Sequence, residues 1–355
     1  MKEYGVIVIG GGHAGCEAAH AAARAGVKTL LITMRKESIG QMSCNPAIGG
    51  IGKSHLAREV DALDGLMCKT ADNSALQRRT LNSRKGPAVR ATRIQTCRDA
   101  YKQNMQAYIN NREELDVLEA SVTSLIIDGN TTRGVITDDG RKYYSISVIM
   151  TVGTFLGGKI HIGEKSFSAG RAGDKASNDL EKFFFEHPFK IGRLKTGTPP
   201  RIKKHSINFS RLEIQHSEIG QPHISYLYDH YGLASKNINQ IPCHITYTNK
   251  ETHGIIKNSK KLSPMYNGKI NSIGPRYCPS IEDKVERFED KESHQIFLEP
   301  ETSSDIEIYP NGLSTSLPEE IQQKFLRTIQ GLENCEISKP GYAIEYSYFD
   351  PRSLE

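Results

Sequence analysis

The chain has 355 residues, enough for two domains with separate hydrophobic cores. Hydrophobic residues make up 37% and charged residues 25%, and no apolar run reaches the ~18 residues of a membrane-spanning helix. We therefore expect a globular protein that does not contact a membrane. The net charge of +5 permits a polyanionic partner without requiring one.

The cysteines and the N-terminus indicate a compartment. There are seven cysteines, an odd number, and none forms a C-x-x-C pair with another. No basic segment followed by an apolar run opens the chain. We therefore expect a cytoplasmic protein without disulfides, structural zinc or another metal site.

The first third of the chain predicts a βαβ unit with a parallel sheet. Residues 6–9 and 28–33 are apolar runs of strand type, and residues 14–25 between them favour a helix. Two further helices are predicted at 52–63 and 92–111, the second with an apolar stripe.

Strands and hairpin turns dominate after residue 115. Residues 115–155 alternate strand-like runs with turns, residues 157–240 are predicted to be rich in loops, and 243–249 is strand-like. The run "HQIFLEPE" predicts a strand, a helix begins near Pro318, and "GYAIEYSYFD" predicts a last strand.

Gly10, Gly12 and Gly15 form a G-x-G-x-x-G loop between the first strand and helix, which is typical of dinucleotide binding. The acid expected at the end of the second strand is absent. The ribose contact is therefore Glu37, a hydroxyl or backbone, and the sequence does not decide between them. The strand "VIMTVGTF" (148–155) favours FAD over a simple NAD fold by analogy with flavoproteins.

Residues 41–56, "QMSCNPAIGGIGKSHL", come close to a phosphate-binding P-loop that would end in Gly52, Lys53 and Ser54. The segment before it is polar, and Pro46 does not suit a central strand. We therefore predict no nucleoside-triphosphate site, but a glycine turn into a helix N-terminus that can bind an anion.

Two cysteines lie in polar, turn-forming surroundings. Cys44 follows Ser43 in the loop described above, and Cys278 lies in "GPRYCPS". Each is either a nucleophilic thiol or an inert, partly buried cysteine, and the chemistry alone favours neither. Cys16, Cys97 and Cys335 lie in or beside helical patterns and are expected to be inert.

Basic residues cluster in residues 77–93 and 192–204. One such run is commonly only a solvated surface. Two runs with embedded glycine–proline turns favour contact with a nucleotide or RNA.

Taken together, these motifs resemble the GidA/MnmG family along essentially the whole chain. The similarity rests on "IGGGHAGCEAA", "GQMSCNPAIGGIGK", "LNSRKGPAVRATR", "TVGTFLGGKIHIG", "GRLKTGTPPRI", "GPRYCPSIEDKVERF" and "EIYPNGLSTSLP". The resemblance implies an α/β fold: a Rossmann-like FAD-binding domain with an inserted, mixed α/β NAD-binding domain. It further implies FAD-binding residues 1–200, an NAD or substrate domain at 201–300, and a segment at 301–355 that returns to the FAD domain.

The resemblance also implies the function. Family members modify carbon 5 of the wobble uridine of certain tRNAs with an aminomethyl or carboxymethylaminomethyl group. They use FAD, NADH, methylenetetrahydrofolate as the one-carbon donor and a GTPase partner of the MnmE type, and they act as homodimers. Cys44 and Cys278 match the two candidate catalytic thiols of the family.

The implied cofactor contacts fall into two groups. The FAD contacts are Gly10, Gly11, Gly12, His13, Ala14, Gly15, Val122 and Ser177. The NAD contacts are Gly274, Pro275, Arg276, Tyr277, Cys278, Pro279, Ser280, Ile281, Glu282, Asp283, Lys284, Val285, Glu286, Arg287 and Phe288.

One departure from the family limits these expectations. Family members continue beyond residue 355, with a glycine-rich segment that contacts the flavin and a helical C-terminal region that binds the GTPase. Two other functions therefore stay open, namely a generic NADH-dependent flavin oxidoreductase and a flavin- or RNA-binding fragment without turnover.

Overall fold

The computed structural model describes residues 3–220, 222–228, 239–270, 272, 274, 279–304 and 306–353. The chain divides into two compact units, each built from several chain segments. The first unit consists of Met1–Gly153, Ser177–Pro188 and Ser217–Gln240, and the second of Thr154–Ala176, Phe189–His216 and Ile241–Glu355. No helix in the described residues is both long enough and apolar enough to cross a membrane.

The first unit is built on a six-stranded sheet in the order β6-β2-β1-β9-β8-β7. Strands β6, β2, β1 and β9 are parallel, and β9, β8 and β7 form an antiparallel meander. The strands of this unit are β1 (Glu3–Ile9), β2 (Thr29–Thr33), β3 (Ala47–Gly49), β4 (Ala75–Leu81), β5 (Ala91–Thr96), β6 (Leu115–Glu119), β7 (Val122–Asp128), β8 (Thr131–Thr137) and β9 (Lys142–Met150). Strands β3, β5 and β4 form a separate antiparallel sheet in that order.

Helices cover the sheets of the first unit and enclose its core. They are α1 (His13–Arg24), α2 (Lys53–Ala62), α3 (Met67–Asn73), α4 (Arg98–Asn110) and α5 (Asn178–Phe185). The core joins Val8 and Leu31 of the parallel sheet to Tyr101 and Met105 of α4, all of them fully buried. Burying apolar area of this kind is the main stabilising term in folding.

The second unit contains two antiparallel sheets, in the orders β11-β10-β19-β12 and β14-β15-β16-β17-β13-β18. Its strands are β10 (Lys159–Ile162), β11 (Lys165–Ser168), β12 (Ile191–Thr198), β13 (Arg201–Lys203), β14 (Glu213–Gln215), β15 (Cys243–Tyr247), β16 (Gln295–Pro300), β17 (Glu307–Asn311), β18 (Ile337–Lys339) and β19 (Tyr342–Phe349). Its helices are α6 (Lys250–Ser259), α7 (Ile281–Arg287) and α8 (Glu319–Leu326). Its main core centres on Ile296, Leu298 and Phe325.

The expected fold class is confirmed, because a parallel α/β sheet begins the chain and a mixed α/β unit accompanies it. The helix predicted at 92–111 is partly wrong. Its first residues form β5, the central strand between β3 and β4, and the helix begins only at Arg98. The β-branched residues Thr92, Ile94 and Thr96 favour a strand. Pairing with β3 on one edge and β4 on the other stabilises this strand over the helix.

The prediction of a loop-rich segment at 157–240 is also partly wrong. Strands β10 to β14 and helix α5 lie in it. Four of these strands, β10, β11, β13 and β14, have only three or four residues. The longer β12 pairs with β19, which lies far away in the sequence. Local sequence patterns carry little information about such pairing.

Candidate functional site

Two glycines of the G-x-G-x-x-G loop are required by the backbone itself. Gly10 has a φ of +105°, and a Cβ there would lie 2.6 Å from the carbonyl oxygen of Thr151. A Cβ on Gly15 would lie 1.7 Å from the carbonyl oxygen of Gly10. Only glycine therefore permits this turn and the close packing of α1 against β1.

Gly12 differs from these two glycines. It is exposed and lies at the N-cap of α1, and a Cβ there would meet no atom of the described residues within 4 Å. No side chain caps the helix, and no acid lies in its first turn. The N–H groups of a first helical turn lack intrahelical partners and attract anions. The open space beside Gly12 therefore fits a pyrophosphate of a dinucleotide such as FAD.

His13 and Tyr101 lie beneath this helix start. Their rings meet edge to face with centroids 5.5 Å apart. The His13 Nε2 and the Tyr101 hydroxyl are buried and have no hydrogen-bond partner among the described residues. Burial lowers the pKa of His13 to about 4, so its imidazole is neutral near pH 7 and adds no charge to the loop. No local sequence pattern predicts this pairing with Tyr101, because the two residues lie far apart in the chain.

The three alternatives for the ribose contact can be placed in the first unit. Glu37 is exposed and accepts a hydrogen bond from Arg35 Nε at 2.9 Å. Thr33, at the end of β2, is almost fully buried. The Glu37 carboxylate is exposed although Arg35 pairs with it, whereas the Thr33 hydroxyl is buried, so the placement favours Glu37 or backbone.

The loop that carries Cys44 is connected to the glycine loop. The Gly40 N–H donates to the Gly11 carbonyl at 2.9 Å, four residues before Cys44. The Arg98 guanidinium donates to the carbonyl of Met42 at 2.6 Å and to that of Cys44. The Cys44 residue is half-buried, in contrast to the other described cysteines, which are buried. Its loop is therefore fixed next to the proposed dinucleotide site.

The remaining described cysteines match the expectation of inert thiols. Cys16 and Cys335 are fully buried, and burial raises their pKa values to about 12 and about 11. Cys97 is also buried. Cys278 lies outside the described residues, as do Pro275, Arg276 and Tyr277.

In the segment that resembles a P-loop, the serine hydroxyl that would bind Mg²⁺ in a nucleotide site is already bonded to the protein backbone. The strand before it, β3, has only three residues and lies at the edge of its sheet. The Ser54 hydroxyl accepts from the Gly50 N–H at 2.8 Å and donates to the Thr92 carbonyl. This hydroxyl therefore ties α2 to β5, whereas a P-loop serine binds Mg²⁺.

The other predicted FAD contacts also lie in the first unit. Val122 begins β7 and is buried. Ser177 is the N-cap residue of α5, and α5 packs against β7. The two residues thus belong to neighbouring elements of one unit.

The predicted NAD-binding stretch, residues 274–288, contains helix α7 of the second unit. Ser280 caps this helix through a reciprocal pair of hydrogen bonds with Asp283. Ile281 and Val285 pack in the core. Glu282 is buried, accepts from Thr315 Oγ1 at 2.9 Å, and has a pKa raised by burial.

The remaining members of this stretch differ in exposure. Gly274 and Lys284 are half-buried, whereas Pro279, Glu286, Arg287 and Phe288 are exposed.

The basic runs contain two arginines that serve the fold. Arg78 is buried and bonded to Asp72, and Arg201 is buried and donates to Glu301 at 2.6 Å. The prediction that Arg78 and Arg201 belong to a solvated or RNA-facing surface is therefore wrong. Each is paired with a buried acid six or more residues away, which a charge count does not reveal.

Three cations of the first basic run do reach solvent. Arg84, Lys85 and Arg90 are exposed in the turn between β4 and β5. We call these three residues the hairpin cations. Across the described residues, no group of three or more His, Cys, Asp and Glu side chains is arranged to hold a metal ion.

The chain is similar to a known family and to solved structures. The family of glucose inhibited division protein A matches residues 5–355. Two crystal forms of GidA from Aquifex aeolicus are 45% and 47% identical to the chain, with TM-scores of 0.90 and 0.93. Each match covers 99% of this chain but only 56% or 59% of the Aquifex chain, so this chain spans less than two thirds of their length. From the fold, the glycine loop and these matches, we conclude that the chain belongs to the GidA family.

Proposed function

We propose that this protein is a FAD- and NADH-dependent enzyme that modifies tRNA. In this proposal it acts with a GTPase of the MnmE type. It adds an aminomethyl or carboxymethylaminomethyl group to carbon 5 of the wobble uridine, with methylenetetrahydrofolate as the one-carbon donor. Membership of the GidA family supports the reaction class. The observation that carries the cofactor assignment is the open N-terminus of α1 at Gly12.

The first unit would hold the FAD. The backbone N–H groups that follow Gly12 would bind its pyrophosphate, because they lack helical partners and no side chain caps them. Gly10 and Gly15 permit the turn that aims these groups. When bound, the flavin supplies redox chemistry by accepting a hydride from NADH and mediating one-carbon transfer. In the second unit, we assign residues 274–288 to NADH.

Cys44 would act on the base. Its thiolate would add to carbon 6 of the uracil ring and make carbon 5 nucleophilic. Carbon 5 would then form a bond to the one-carbon unit, and loss of the carbon 5 proton would expel the thiolate from carbon 6. The hydrogen bonds of Arg98 to the loop hold the Cys44 backbone in place for this step. We assign the same class of role to Cys278.

The tRNA would lie on exposed cations. The hairpin cations are exposed, whereas Arg78 is buried and bonded to Asp72. Such residues bind phosphates without reading sequence, so they would set affinity and orientation and leave the choice of base to other groups.

A Cys44→Ser variant tests the assignment of function. NADH oxidation by the FAD-loaded protein is expected to stay near the wild-type rate, while formation of C5-modified uridine, measured by mass spectrometry of nucleosides, falls at least 100-fold. Cys335→Ser is the control, because Cys335 is a fully buried cysteine to which no chemical role is assigned. Full modification by the Cys44→Ser variant would remove this residue from the mechanism.

The alternatives predict other results. A generic flavin oxidoreductase would oxidise NADH and show no binding to tRNA. A fragment without turnover would bind flavin or tRNA and oxidise no NADH.

A further inference from the structure

Two buried carboxylates fix a short segment of the first unit, residues 222–228. Asp72 accepts hydrogen bonds from the N–H groups of Ile224 at 3.2 Å and Ser225 at 2.9 Å. Asp61 accepts from the Ser225 hydroxyl and from the Tyr226 N–H, both at 2.7 Å. Charge-assisted hydrogen bonds in a buried setting are among the strongest in proteins. The backbone that carries Tyr226 is therefore held in one position.

Tyr226 nevertheless presents its ring to solvent. Its side chain is 62% exposed, whereas Tyr228 in the same segment is 6% exposed and stacks on His223 at 3.7 Å. The Arg58 guanidinium lies over the Tyr226 ring, 4.0 Å from its centroid. Tyr226 thus keeps a large exposed area although a guanidinium lies over its ring. We call the pair Tyr226 and Arg58 the aromatic platform.

The aromatic platform is connected to the hairpin that carries the hairpin cations. The Glu218 N–H donates to the Arg78 carbonyl in β4 at 2.9 Å, and the Glu218 carboxylate accepts from the Thr80 N–H at 2.5 Å. From Thr80, β4 runs into the turn with the hairpin cations. On the other side, α2 carries Arg58 and is tied to β5 through Ser54. Hydrogen bonds thus join both strands of the hairpin to elements of the same unit, namely to Glu218 and to the helix that carries Arg58.

We infer that the aromatic platform stacks an unpaired base of the bound RNA, an inference that rests on the proposed function. Unpaired bases stack on tyrosine rings and guanidinium planes, whatever their sequence. A tyrosine whose backbone is fixed by Asp61 and whose ring is covered on one face by Arg58 loses little conformational entropy on binding. The hairpin cations would hold phosphates of the same strand, and the platform would hold one of its bases.

The test compares Tyr226→Ala with Tyr226→Phe, because phenylalanine keeps the stacking face and loses only the hydroxyl. A matched control is Tyr247→Ala, which removes a tyrosine 46% exposed on β15 of the second unit. The probe is a tRNA anticodon stem-loop with 2-aminopurine in its loop. Affinity is measured at several salt concentrations, and the fluorescence of the 2-aminopurine reports stacking.

We expect Tyr226→Ala to weaken binding about 5- to 100-fold. The slope of log K against log salt should stay unchanged, because no phosphate contact is lost. Tyr226→Phe and Tyr247→Ala should bind within about 2-fold of wild type. Wild type and Tyr226→Phe should change the 2-aminopurine fluorescence, and Tyr226→Ala should not.

Three results would overturn the inference: Tyr226→Ala binds like wild type, its salt slope falls with its affinity, or Tyr226→Phe binds as weakly as Tyr226→Ala. Circular dichroism melting checks that the variants are folded. If Tyr226→Ala does not fold, the fluorescence comparison of wild type with Arg58→Gln replaces it, with an unchanged signal counting against the platform. If wild type binds no tRNA, the proposed function fails as well, which separates the two failures.

Discussion

The Arg78 guanidinium donates a 2.5 Å hydrogen bond to the carboxylate of Asp72, and both side chains are buried. The same carboxylate accepts the N–H groups of Ile224 and Ser225. The pair therefore joins β4 to α3 and holds the segment that presents Tyr226. A residue that charge counting assigns to an RNA surface is thus an internal support of the first unit.

Replacement of Arg78 should destabilise the first unit. An Arg78→Ala change leaves the Asp72 carboxylate buried and without its cation, which costs about 3–5 kcal/mol. The free energy of unfolding in urea measures this loss. Arg84→Ala, on the exposed turn of the same hairpin, should change it by less than about 0.5 kcal/mol. Equal effects of the two changes would contradict the assignment of Arg78 to the interior.

Substitution of either of two glycines in one loop should impair FAD binding, but only one of the two changes should lower stability. Gly12→Val should leave the melting temperature of the flavin-free protein nearly unchanged, because its Cβ meets no atom of the described residues within 4 Å, and should abolish stoichiometric FAD binding. Gly15→Ala should lower both, because its Cβ would overlap the carbonyl of Gly10. The ratio of flavin absorbance to protein and a circular dichroism melt measure the two effects. Stoichiometric FAD in Gly12→Val would exclude the pyrophosphate from this position.

The hairpin cations should set the salt dependence of tRNA binding. The triple change of Arg84, Lys85 and Arg90 to alanine removes up to three phosphate contacts and should reduce the salt slope by about 2. Affinity should fall for all tRNA species alike. The control removes three lysines of the second unit that are paired with acids, Lys250, Lys257 and Lys260. If the control lowers the salt slope as much as the hairpin variant does, the slope reflects net charge alone and the hairpin cations have no special role.

His20 should make the stability of the first unit depend on pH. Burial, with Arg112 and Lys69 nearby, lowers its pKa to about 4, against about 6.5 in an unfolded chain. Between these values the unfolded state binds the proton and the folded state does not, so stability falls as the pH falls from 6.5 to 4. His20→Leu should reduce this loss by about 1 kcal/mol, allowing for screening by solvent. Urea unfolding at pH 6.5 and 4.5 measures this loss of stability, and His205→Leu, at an exposed histidine, is the control. If His20→Leu loses as much stability as wild type between these pH values, His20 does not titrate in this range.

The sequence predicts most of the first unit, because local patterns suffice there. The βαβ start, the glycine loop and the helix at α2 are encoded by neighbours within a few residues, as the structure confirms. The pairing of the edge strand β3 with β5, and the hydrogen bonds of Asp72 to Ile224 and Ser225, depend on residues far away in the chain. Only folding brings those residues together.

The candidate site divides in the same way. The geometry that distinguishes Gly12 from Gly15 follows from spacing, whereas the partnerless atoms of His13 and Tyr101 do not. The burial of Arg78 and Arg201 depends on acids that a linear charge run does not show. Exposed cations are therefore identified only from the folded chain.

The most direct test of the proposed function is the modification state of the wobble uridine in cells. In cells that make this protein, the gene is replaced by one that encodes Gly12→Val or Cys44→Ser, and nucleosides of the purified tRNA are analysed by mass spectrometry. We expect the C5-modified uridine to disappear in both strains and unmodified uridine to take its place, with a Cys335→Ser strain unchanged. Wild-type levels of the modified nucleoside in both strains would contradict the assignment of this chain to tRNA modification.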